Sequence, residues 1–235
     1  MTQDTIGSLT AQMRETLDRY VAVIRQWTTP DGKLPDPYES IYTENYAPAN
    51  AAVILAAVGA NGRTDEVTRL LGTMIGRTVE LLVDKAGVAP FCRVFLYHYG
   101  LMALLLAPEA DRDALLQRHG SFFAGYEDDC PIVNTNCAAL QWAMELFTEA
   151  LGLRAADERR LERRLAFIAA AQLSSGFIND EVDERQSHDG MPIAYHAFTL
   201  FLLVGALAAV DRWPERLSAF RDEARRIVDR GLSWL

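Results

Sequence analysis

The chain has 235 residues, half of them apolar, which is enough for a substantial core and fits a single domain over residues 1–235. A formal net charge of −9, with lysines and arginines scattered along the chain, excludes a nucleic-acid partner, which needs a basic stripe. The opening MTQDTIGSLTAQ lacks the basic flank and apolar core of a targeting signal, and the longest apolar stretch, Phe198 to Val210, is too short for a bilayer, so a cytoplasmic protein without membrane contact is expected.

Apolar residues recur at helical spacing nearly everywhere, and no convincing alternating run marks a strand. The spacing predicts an amphipathic helix from Ser8 to Trp27, then a long loop whose Pro30, Pro35 and Pro37 and Asp31-Gly32 turn exclude regular structure. A small-residue helix follows over Pro48 to Val58, ended by Asn61-Gly62. Thr64 or Asp65 caps the next helix, which runs to Lys85. Apolar helices over Pro90–Leu106, Asn134–Leu151 and Pro192–Val210 then alternate with polar ones over Ala110–Phe123, Ala156–Leu173 and Trp213–Leu235. A helix that is apolar nearly all round belongs inside and one with a charged face belongs outside. The expectation is therefore an all-α fold, an α/α toroid left as an incomplete barrel, built from sequential antiparallel helix pairs.

Connections from inner to outer helices are short, such as GANGR and APEAD, whereas those from outer to inner are long and rich in Asp, Glu, Asn, Tyr and Gly. Polar loops are thus expected to gather where inner helices begin, at N-termini whose free N–H groups and dipole favour anions. Asn50, Arg93 and Asn136 recur every 43 residues near inner-helix starts, as a helical repeat would place them. The final outer helix ends the chain at GLSWL without an inner partner, so another copy or a further C-terminal domain is expected to complete the ring.

Helix pairs ending in SGFINDEVDERQSHDGMPIAYHAFTLFLL, together with the inner-helix start VNTNCAALQWAMELF, resemble the α/α-toroid domains of heparinase-type and alginate-type polysaccharide lyases. The resemblance covers residues 40 to 235; those enzymes are longer and carry a β-sandwich after the toroid. It implies a carbohydrate-active protein that performs lyase-like β-elimination on a uronate-containing saccharide, with an oligosaccharide or small molecule as ligand. Elimination needs a carboxylate neutraliser, a base and an acid. Asn136, Tyr195 and His196 are the candidate catalytic residues; Asn134, Arg93, Asn50, Tyr46 and Asp189 are the candidate substrate binders.

Each candidate also has a structural reading. Asn134 precedes an apolar helix and suits an N-cap. Arg93, among Phe91, Val94 and Phe95, would form an ion pair or bind a ligand, since an unpaired charge there is costly. Tyr195 and His196 are adjacent on a helix, so they diverge, and either could be a core residue whose polar tip finds a partner. Tyr97-His98-Tyr99 reads as structural, and His119 as a surface residue at a helix end.

No cofactor is required by this chemistry, although Asp128, Asp129 and Asp180 could offer oxygen ligands to a divalent metal. Asp189 with Glu44 or Asp129 could equally supply the two carboxylates of a glycoside hydrolase. An epimerase of the same fold, or a non-catalytic helical-repeat module for binding or assembly, completes the alternatives.

Overall fold

The computed structural model describes residues 3–35, 44–62, 64–84, 90–125, 134–180, 193–210 and 214–234, with the backbone alone for 3–9, 90, 91 and 193. Among them the chain is helical, and an isolated bridge between Gln172 and Ile178 is the one β-type pairing. Its contacts divide it into two compact units, Met1–Phe122 and Phe123–Leu235.

The first unit holds α1 (Gln3–Trp27), α2 (Ala47–Asn61), α3 (Asp65–Val83), α4 (Pro90–Leu106) and most of α5 (Glu109–Ala124). Helix α2 is its centre and packs on α1, α3 and α4. Ala49, Ala52 and Ala56 on α2 are fully buried, and their small side chains let the neighbouring helices approach closely. Pro48 lies in the first turn of α2, where its missing N–H costs nothing. Thr64 caps α3, its hydroxyl accepting from the Val67 amide at 3.2 Å, and Asp65 and Glu66 complement the dipole of the first turn. The Thr68 hydroxyl then donates to the buried Asp111 carboxylate at 3.2 Å, tying α3 to α5.

The second unit holds α6 (Thr135–Ala150), α7 (Glu158–Ala171), α8 (Ile193–Ala209), a 3-10 turn (Glu215–Leu217) and α9 (Ser218–Leu232). Every residue of α6 from Thr135 to Thr148 is buried. It packs on α7 and α8, while α9 packs on α8 and α7. The α8–α9 crossing is close at Gly231, where an added Cβ would lie 2.5 Å from Leu200 Cδ2.

The sequence leads us to expect inner helices buried all round, and α8 differs. His196, Leu200, Leu203 and Ala206 are buried, but Tyr195, Phe201 and Val204 are exposed although α8 is the most apolar helix. Its principal contacts, α6 and α9, cover one side.

Candidate functional site

In the first unit the candidate residues sit where α2 and α4 begin. Tyr46 occupies the N-cap position of α2 without a side-chain cap bond. Its ring stacks on Phe95 with centroids 5.0 Å apart, and Phe95 in turn stacks on Tyr99 at 6.1 Å. Burial, with the Tyr46 hydroxyl nearby, pushes the Tyr99 phenol up to about 12. Asn50 and Arg93 are half-buried. Tyr97 and His98 are buried one turn deeper, with Tyr97 stacked on Phe122 at 5.8 Å, which fits their structural reading.

Glu44 stands just before α2 and is consumed by this unit. One carboxylate oxygen accepts from the Leu34 amide at 2.9 Å, and the other accepts from Arg77 Nε at 2.7 Å. The Glu44 carboxylate raises the Arg77 pKa, against the opposing effect of burial. Farther along the chain, His119 is half-buried where the sequence reads a surface residue, and burial and the Arg118 charge lower its pKa.

In the second unit the candidates sit where α6 and α8 begin. Asn134 is the N-cap of α6, its side-chain Oδ1 accepting from the Cys137 amide at 2.9 Å. The Asp180 carboxylate lies over the same helix end. It accepts from the Thr135 hydroxyl at 2.6 Å, the Asn136 amide at 3.1 Å and Asn136 Nδ2 at 3.3 Å. The α6 N-terminus therefore binds a carboxylate, as helix dipoles favour, and the carboxylate is the chain's own. Burial nevertheless raises the Asp180 pKa, outweighing the Thr135 and Asn136 donors.

His196 is fully buried. Nδ1 accepts from the Ile178 amide at 2.9 Å, which requires a neutral ring protonated on Nε2, and Nε2 faces the Gly231 carbonyl oxygen at 3.3 Å. Phe177 stacks on the ring at 4.9 Å and Trp234 meets it edge-on at 5.0 Å. Burial lowers its pKa more than the Gly231 carbonyl raises it. Tyr195, the adjacent residue, is 43% exposed, so the two side chains diverge as helix geometry requires. Asp189, Asp128 and Asp129 lie outside the described residues. Among the described residues no cluster of three or more His, Cys, Asp or Glu side chains could hold a metal ion, and no helix is long and apolar enough to cross a membrane.

Two arrangements escape a reading of residue types alone. The first is a buried charge cluster at the far end of α6. Glu145, wholly buried, receives Arg154 at 2.8 and 3.0 Å and Arg160 at 3.2 Å, with Arg164 3.4 Å away. Burial would raise the Glu145 pKa, but the arginines, led by Arg154, bring it below the ordinary range. The Arg-rich run ERRLERR signals it, but the partner lies on another helix. The second is the turn at 172–178, in which Gln172 Nε2 donates to the Gly176 carbonyl at 3.0 Å and the Ile227 carbonyl at 2.9 Å. The Gln-x-x-x-Gly-Phe spelling at a helix end is its signal.

Two cavities among the described residues lie apart from the candidate residues. One of about 330 Å³ opens between α7 and α9, lined by Leu165, Ala169, Phe220 and Glu223 among others. Another of about 210 Å³ lies between α1 and the end of α2, beside Arg14, Asp18 and Asn61. Comparison of the chain with protein-family models, curated proteins and solved structures gives no match.

Proposed function

We propose that the protein is a non-catalytic helical-repeat module for binding or assembly, its helix pairs arranged as an open α/α toroid. The observation that carries this reading is the state of His196. A general acid or base must reach substrate and exchange a proton with it. Here both ring nitrogens face the chain's own backbone, and the imidazole is wholly buried between Phe177 and Trp234. Asn136 supports the same reading, because its side-chain Nδ2 and its backbone N–H each donate to Asp180.

One observation favours a second reading, a lyase-like site for an acidic saccharide. The donors on α6 that the lyase resemblance would give to a uronate already hold a carboxylate, that of Asp180. In this reading the substrate carboxylate replaces Asp180 and exposed Tyr195 moves the proton.

Incubation of the protein with a panel of uronate oligosaccharides, followed by absorbance of the unsaturated product, separates the two. The module reading expects no rise with any substrate. A rise that Tyr195→Phe abolishes would overturn it and establish elimination. Binding of galacturonate to the wild type, measured by calorimetry and tightened in Asp180→Ala, would favour the second reading.

A further inference from the structure

The longest of the described helices, α1, carries one apolar stripe, part of it covered and part exposed. Leu17 and Val21, both half-buried, and buried Ile24 make the face that meets α2, the principal neighbour of α1. The flank of the same stripe is exposed: Met13 at 60%, Tyr20 at 51%, Val23 at 45% and Trp27 at 40%. Met13, Tyr20 and Trp27 are seven residues apart, and Thr16 and Val23 fall at the intervening d positions. In the sequence the same register continues back through Leu9 and Ile6. Seven-residue spacing with a second residue three positions on is the pattern by which one helix winds on another, and here it flanks the Leu17 and Ile24 positions that meet α2.

We propose that this face of α1 pairs with α1 of a second copy of the chain, as a two-stranded coiled coil. Charge favours that occupant. Asp4, Glu15 and Asp18 balance Arg14, Arg19 and Arg25, so α1 is neutral within a chain of net charge −9. Its copies can therefore approach here with less repulsion than the net charge implies. Along one edge of the seam stand Gln12, Arg19 and Gln26, and Arg19 is neutralised by Glu15 at 2.6 Å. The four exposed apolar residues present on the order of 400 Å² per copy, which places the pair at the small end of specific interfaces, with dissociation in the micromolar range. This inference supplies a partner for the assembly reading. Turnover of a uronate would defeat that reading and leave the seam standing, whereas a monomer would defeat the seam and leave the reading standing.

Sedimentation velocity of the full chain across a dilution series through the micromolar range tests it. The expected result is a dimer that dissociates on dilution, with Tyr20→Glu weakening association by on the order of 30-fold or more. Ala22→Glu, on an exposed position off the seam, should leave association unchanged. Circular dichroism identifies a Tyr20→Glu chain that fails to fold, in which case Met13→Glu, at the most exposed seam position, makes the same test. A wild-type monomer at every concentration, or a dimer indifferent to folded seam variants, would overturn the proposal.

Discussion

The turns that follow α1 and α7 have the same backbone and different chemistry. Thr29 donates to the Lys33 carbonyl and Gly32 to Thr29, at 2.8 and 2.9 Å; Leu173 donates to Phe177 and Gly176 to Leu173 at the same two distances. The equivalent positions are 144 residues apart, and both glycines have positive φ, 81° and 98°. Each turn then leaves an apolar plug, Leu34 or Ile178, whose buried N–H needs an acceptor. Near α2 the acceptor is Glu44, a charged group held by Arg77 of α3. On α8 it is His196, a neutral ring backed by Gly231 of α9. The same unsatisfied donor is met once by an ion pair with one half-exposed edge and once by an aromatic sandwich. The lesson is that His196 does for its unit what Glu44 does for the other: from the start of α8 or just before α2, each ties the turn to a further helix, α9 or α3.

The largest expected effect that breaks this parallel is at the glycines. A Cβ on Gly176 would lie 2.1 Å from the Arg230 carbonyl oxygen, whereas one on Gly32 would lie 3.0 Å from the Thr73 methyl, which can shift. Gly176→Ala should cost about 3 kcal/mol or more, and Gly32→Ala, with only the left-handed backbone and a soft contact to overcome, about 1–2 kcal/mol. Shifts in the midpoints of urea unfolding measure both. Next comes His196→Ala, which leaves the Ile178 amide unsatisfied and opens a cavity, at a cost of roughly 2–4 kcal/mol in the same experiment. Glu44→Gln keeps an acceptor for Leu34 and loses the charge that faces Arg77, so about 1–2 kcal/mol is expected.

The smallest effect sharpens the chemical difference. Because the folded-state pKa of His196 is lowered, the unfolded chain takes up a proton that the folded chain refuses. Its contribution is complete above the unfolded value of about 6.5 and declines as pH falls below it. His196→Gln should flatten that part of the stability profile, measured by thermal melting at stepped pH. Trp234, which meets the ring, gives a fluorescence signal beside the site.

Helices and caps were legible because their causes are local. The bounds Pro90–Leu106 agree to the residue, the cap Asn134 follows from residue type and the apolar run behind it, and of the two candidates Thr64 and Asp65 it is Thr64 that caps α3. The expected 43-residue spacing of Asn50, Arg93 and Asn136 does place each near the start of α2, α4 or α6. What each polar side chain touches was not legible, because partners come from distant segments. Asn136 meets Asp180, and His196 meets Ile178, Trp234 and Gly231. Nor could sequence periodicity show that α8 is covered on one side, since an apolar helix has the same composition with or without a neighbour on its second face.

Nitrogen-resolved magnetic resonance of the His196 ring as a function of pH tests the central claim most directly. The expected result is a neutral ring protonated on Nε2, with Nδ1 accepting a hydrogen bond, that does not titrate until pH is well below the ordinary histidine value of about 6.5. A ring that titrates near that value, with Nδ1 open to solvent, would contradict the structural role and return His196 to the candidates for proton transfer.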